Sequence, residues 1–166
     1  EENTRLMIRV TAASSLVLFS LAFSASSLDQ LFKDGSWRPV LRARRQLGLS
    51  FALSHSFHLV AIILLVEIAF AGDYSQLGDL VGGSIIYAFI FAMALTSNNA
   101  AISLLGAKQW KALHRIGSYL IWVGLAGSFV GSLMETGAWH YWLYATLALS
   151  LIPLRIGAFW DKRRKR

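Results

Sequence analysis

Five runs of about twenty apolar residues fill nearly all of this 166-residue chain, and that feature restricts the fold more than any other. They cover about Leu6–Leu28 (interrupted by Arg9), Leu47–Ala71, Leu80–Leu105, Leu113–Met134 and Trp139–Gly157. An α-helix rises ~1.5 Å per residue, so each run is long enough to cross a hydrocarbon core ~30 Å thick. Almost nothing is left over for a water-soluble domain. Charged residues make up 15% of the chain, against about 25% in a typical soluble domain. The expected fold is all-α: an integral membrane bundle of five transmembrane helices forming one domain over residues 1–166. The chain opens Glu1-Glu2 rather than with a basic segment, and its first apolar run exceeds a signal-peptide core. That run is therefore read as a span.

The remaining charges orient the bundle. The net charge is +7, with 16 Lys and Arg against 9 Asp and Glu. The first connection carries Lys33, Arg38, Arg42, Arg44 and Arg45; the third carries Lys108, Lys111 and Arg115. The tail carries Arg155 and then Lys162, Arg163, Arg164, Lys165 and Arg166. The second connection, by contrast, has only Asp73 and Asp79, and the fourth only Glu135. Basic connections lie on the cytoplasmic side of a membrane protein, which puts the N-terminus outside and the C-terminus in the cytoplasm. With that assignment fourteen basic and three acidic residues face inward (+11), and two basic and six acidic face outward (−4). The positive balance is an orientation signal. Nucleic-acid binding is excluded as a reading, because no basic face with interleaved aromatics lies outside the apolar runs. The basic tail reads first as a topology anchor and second as a site for anionic lipid. Trp110, Trp139, Tyr141, Trp142 and Trp160 stand at expected boundaries, as an interfacial aromatic belt would.

Ionisable side chains at membrane depth are costly and mark candidate sites. The second run holds His55 and His58, three apart on one helix face, and Glu67 near its outer end. His114 and Arg115 open the fourth run, and His140 opens the fifth between Trp139 and Tyr141. Neutral imidazole ligates haem iron, and helical bundles hold porphyrins between histidines. The competing reading of any one of these histidines is a hydrogen bond to a neighbouring helix. His140 reads as part of the aromatic belt and Glu67 as a carboxylate near the outer surface. With no cysteine in the chain, disulfides and thiolate metal sites are excluded. Glycines at 82, 83, 117, 124, 127 and 131 mark close helix contacts or room for a flat cofactor.

Two segments carry a family resemblance. Arg44-Arg45-Gln46-Leu47-Gly48-Leu49-Ser50-Phe51, followed by His58, is one; Thr96-Ser97-Asn98-Asn99 through Gly106, Trp110 and Leu113-His114-Arg115 is the other. Together they resemble the ferric reductase-like transmembrane domain family, which includes the STEAP metalloreductases and the NADPH oxidases. The resemblance implies a b-type haem bundle with His58 and His114 as iron ligands, His55 in reserve, and Arg44, Arg45, Arg115 and Lys111 beside the propionates. The same basic residues also serve the orientation signal without any haem. A further family histidine, thirteen positions after the Leu-His-Arg motif, is Gly127 here. Helix arithmetic separates His58 from His114 by on the order of 10 Å in depth, so a staggered bundle, a different partner for His58, or loss of the haem all remain open.

The leading functional expectation is therefore a haem-bearing electron-transfer subunit of an oxidoreductase in the bacterial inner membrane. It would take electrons from a quinol or a cytoplasmic flavin partner protein, since no flavin or nicotinamide fingerprint is expected in this chain. The alternative is a haem-free structural or assembly subunit of a larger membrane complex. A transporter is disfavoured by the absence of an inverted repeat.

Overall fold

The computed structural model describes residues 2–77 and 80–164. Glu1, Asp79, Lys165 and Arg166, which were assigned to the two sides by charge, lie outside the described residues. Among those described, every regular element is helical: α1 (Glu2–Leu31), α2 (Arg38–Arg42), α3 (Arg44–Ala69), a 3-10 turn (Tyr74–Leu77), α4 (Leu80–Leu95), α5 (Asn99–Leu105), α6 (Ala107–Thr136) and α7 (Trp139–Arg164). Helices α1, α3, α6 and α7, of 30, 26, 30 and 26 residues, are long and apolar enough to cross a membrane. The expected all-α membrane fold is what forms.

The distribution of side chains fits a lipid solvent. Large apolar groups stand on the outside: Leu104 is 86% exposed, Met134 81% and Leu95 77%. Buried positions include Ser15, Ser20, Ser24, Ser27 and His55 alongside Leu16, Phe51 and Ile121. In water that arrangement would leave apolar surface unburied. In hydrocarbon it is the ordered one, because small residues let helices approach and apolar side chains face lipid.

The third apolar run departs from expectation. Leu80–Leu105 is not one straight span but two helices, α4 and α5, bent by 108° at their junction. The cause is local. Thr96 Oγ1 donates to the Ala92 carbonyl at 2.7 Å and Ser97 Oγ to the Met93 carbonyl at 2.7 Å, taking up carbonyls at the end of α4. Asn98 is extended (φ −146°, ψ 163°), and its side chain accepts from the Ala101 amide at 2.7 Å, capping α5. Such side chains compete with the helix for its own backbone groups. Gly106, at φ +75°, then turns the chain into α6. At 16 residues, α4 spans only about 24 Å. Asn98→Ala is expected to weaken α5 by about 1 kcal/mol, read as faster amide exchange at Ala101 in detergent-solubilised protein. Unchanged protection there would show that the cap does not start the helix.

The chain divides into two compact units. The first comprises Glu1–Ser15 and Leu49–Gly124, the second Leu16–Gly48 and Leu125–Arg166. Within the first, α4 packs closely on α6. A Cβ added at Gly117 would collide with the Met93 sulfur and approach Phe89 Cδ1 to 3.1 Å, and one at Gly124 would collide with Ile86 Cδ1. Ile86 therefore faces Gly124 while Met93 faces Gly117, so the two helices run antiparallel. Within the second unit, Phe19 and Phe23 stack at 5.1 Å, and the Arg155 guanidinium lies 4.2 Å over the Phe23 ring. Arg155 also donates to the Phe23 carbonyl at 3.2 Å, and Gln30 to the Ala158 carbonyl at 2.6 Å. Pro153 sits inside α7, which continues through it.

Candidate functional site

The first unit gathers polar side chains on facing stretches of α1 and α3. Thr11, Ser14 and Ser15 follow the 3 and 4 spacing of one helix face, and they meet Ser54 and His58, four apart on α3. Ser14 Oγ lies 2.9 Å and Ser15 Oγ 3.0 Å from Ser54 Oγ. His58 Nδ1 lies 3.0 Å from Thr11 Oγ1 and 3.1 Å from the Ile8 carbonyl oxygen. Thr11 Oγ1 is in turn 2.7 Å from the Met7 carbonyl. The α1 half of this seam has its own signal in the sequence, the 3 and 4 spacing of Thr11, Ser14 and Ser15.

His55 lies one turn before His58, and the two rings stack at 5.0 Å. Phe51 at 5.3 Å and Tyr87 at 5.1 Å complete an aromatic enclosure around it. His55 is 8% exposed, and its Nδ1 is buried without a hydrogen-bond partner. A buried imidazole nitrogen left unsatisfied is rare in a folded protein and calls for an explanation. The sequence expectation that His55 and His58 share one helix face holds in space.

His114 is held elsewhere. Its Nε2 lies 3.2 Å from Thr96 Oγ1, and its ring stacks on Trp110 at 4.2 Å. Trp110 Nε1 donates to the Thr96 carbonyl at 2.9 Å. The two side chains thus secure the end of α4 at the helix break, where carbonyls have lost their intrahelical partners. Helix α4 also measures the depth between the histidines. Tyr87 reaches the His55 carbonyl at 3.4 Å, whereas Thr96, nine residues on, meets His114. Nine residues of helix correspond to about 13 Å. The packing of α6 agrees: Gly124, opposite Ile86, is ten residues beyond His114, or about 15 Å. His58 and His114 are therefore not brought to one level, and the offset exceeds the sequence arithmetic. Because α3 and α6 are tied to α4 at these fixed heights, no stagger removes it.

The other sequence candidates are placed as follows. Arg44, in the second unit, donates from Nε to the Ala22 carbonyl at 3.0 Å. Arg45, Lys111 and Arg115 are exposed. Glu67 accepts from the Tyr74 hydroxyl at 2.8 Å, and this carboxylate holds the phenol above its ordinary pKa. His140, in the second unit, sits among Trp139, Tyr141 and Tyr144, with centroids at 6.0, 4.4 and 6.3 Å. Among the described residues, no three His, Cys, Asp or Glu side chains come together as a metal cage. A site here would have to draw on one or two imidazoles.

These observations define an integral membrane helical protein with a buried histidine, His55, stacked on a half-buried one, His58. Over 110 residues the chain is 30% identical to the protein-methionine-sulfoxide reductase heme-binding subunit MsrQ of Azospira oryzae, covering 64% of this chain and 47% of that one. Over 132 residues it is 30% identical to the MsrQ proteins of Brucella ovis and Brucella abortus, covering 76% of this chain and 58% of each relative. The resemblance read from residues 44–58 and 96–115 is borne out by these relatives. The chain spans about half the length of the curated relatives it matches. No protein-family model matches it, and no solved structure does.

Proposed function

We propose that this chain is a membrane-embedded, haem-binding electron-transfer subunit of a ferric reductase-like system, with His58 as the iron ligand. The observation that carries the proposal is the orientation of one imidazole. His58 has its Nδ1 against two protein oxygens, at 3.0 and 3.1 Å, which leaves Nε2 as the nitrogen available to a metal. Metal-ligating histidines make just this kind of hydrogen bond from their second nitrogen. The likeness to subunits named for haem binding supports the same assignment.

The residues present fit such a group. A porphyrin supplies four of the iron's ligands itself, so the protein needs to add only one or two imidazoles. Phe51 and Tyr87 stack on His55, which in turn stacks on His58, and the unpartnered Nδ1 of His55 makes it the reserve donor. His55 and His58 project from the same side of one helix, so they are alternatives rather than a pair across one iron. His114, at another level and engaged with Thr96, serves the helix break.

A bound b-type haem would supply a one-electron carrier whose potential follows from its axial ligand, hydrogen bonding and burial. The chain's own part is to hold the ligand nitrogen still and to keep water from it. The C-terminus and the basic connections lie on the cytoplasmic face of a bacterial inner membrane in this reading. Arg44, Arg45 and Arg115 belong to those basic connections, as partners for anionic lipid. Electrons enter from a quinol or a separate flavin protein and leave to an acceptor across the bilayer.

Purified protein, expressed with ample haem supply, is expected to show a Soret band that shifts on dithionite reduction. A spectrum without that band would turn the assignment to the haem-free structural or assembly subunit.

A further inference from the structure

We infer that Thr11 is a positioning residue for His58: its hydroxyl, with the Ile8 carbonyl, selects the Nδ1–H tautomer and so presents Nε2 as the iron ligand. The inference rests on the haem reading above and deepens it.

The argument is a count of hydrogens. The Ile8 carbonyl oxygen can only accept, so a contact with His58 Nδ1 at 3.1 Å requires that nitrogen to carry the proton. The Thr11 hydroxyl has one hydrogen. Of its carbonyl neighbours, Met7 at 2.7 Å is nearer than Ile8 at 3.2 Å. With that hydrogen given to Met7, Thr11 Oγ1 is left as an acceptor toward His58 Nδ1 at 3.0 Å. The only assignment that satisfies all three contacts is Nδ1–H donating to Thr11 and Ile8, with Thr11 donating to Met7. In a neutral imidazole the lone pair is then on Nε2.

The same bonds stop the ring from turning. Rotation about χ2 would carry Nδ1 away from both oxygens at once. Ser54, one turn before His58, reaches the Thr11 carbonyl at 3.5 Å, and Ser14 and Ser15 both contact Ser54. The acceptor is thus fixed to the helix that carries the ligand. Partners of this kind typically change metal affinity by about 10–100-fold when removed. They also raise the basicity of the ligand, which favours ferric over ferrous iron. Loss of Thr11 as an acceptor should therefore raise the midpoint potential.

The test compares Thr11→Val, which keeps the branched shape and loses the hydroxyl, with Thr11→Ser, which keeps the hydroxyl and loses the methyl. Thr11→Val should lose about tenfold in haem affinity. If that loss falls on the ferric form alone, the one-electron midpoint rises by about 59 mV. Thr11→Ser should restore both. An equal loss in both variants would assign the effect to packing and overturn the inference, as would a wild-type potential in Thr11→Val. Histidine 15N NMR of the haem-free protein gives an independent readout. Wild type should show His58 protonated on Nδ1, and Thr11→Val, with the Ile8 carbonyl as the one remaining acceptor, should hold a smaller share of that tautomer. Failure of the wild type to take up haem overturns the haem reading together with the ligand role. An Nε2–H tautomer in a protein that does load haem overturns the positioning role alone.

Discussion

His58→Ala is expected to abolish the Soret band while leaving the protein folded in detergent. No other described side chain has its ring fixed by two oxygens at that position, and the nearest imidazole, His55, would have to rebuild its aromatic enclosure to replace it. The vacancy left by a truncated imidazole is the size of imidazole itself. Added imidazole should therefore recover part of the band in His58→Ala and do nothing to wild type. Removal of the side chain leaves the Thr11 hydroxyl still bonded to the Met7 carbonyl at 2.7 Å, so helix α1 keeps its local contacts. His55→Ala should retain haem. His114→Ala should also retain it, while loosening the end of α4 where Trp110 and Thr96 meet. Wild-type haem content in His58→Ala would show that another residue holds the iron. Loss in His114→Ala with retention in His58→Ala would move the site to the helix break.

The second large effect is on stability. Gly117→Val should destabilise the detergent-solubilised protein by about 2 kcal/mol, within the usual range for overfilling a packed contact. The reason is the close approach of α4. Any Cβ at Gly117 meets the Met93 sulfur and stands 3.1 Å from Phe89 Cδ1, so two side chains would have to move together. For a chain of this size that is a fall of roughly 4–8 °C in melting temperature. Gly124→Ala should cost less, because only the terminal methyl of Ile86 stands in the way. Gly127→Ala should be neutral or stabilising by up to about 1 kcal/mol, the helix-propensity difference, since nothing lies within 4 Å of a Cβ there. A Gly117→Val protein as stable as wild type would mean that α4 does not pack on α6 in this way.

The glycines show how far sequence reading carries. Gly117, Gly124, Gly127 and Gly131 all lie on one helix and share a simple meaning in one dimension. Among the described residues, the first two have a neighbouring side chain within 4 Å of a Cβ at that position and the last two have none. Spacing places residues on a face, but the partner helix decides which part of the face is used. The third apolar run makes the same point from the other side. Its length argued for a straight span, yet Thr96, Ser97 and Asn98 carried a legible stop signal. Their side chains bond backbone groups three and four residues away, and such clusters end helices. Read only as part of a family motif, they concealed the break.

The sequence alone determined the solvent, the helical class and the pairing of His55 with His58. Those follow from segment length, charge placement and the 3.6-residue turn, all of which are local or additive along the chain. Tertiary structure decided which nitrogen of His58 faces protein, because Ile8 and Thr11 lie 50 and 47 residues away. It also decided that His114 serves a helix end at another depth, because the height of α6 against α4 is set by packing at Gly117 and Gly124. The positions of helices along one another depend on contacts between distant residues, and no periodicity within a single segment records them.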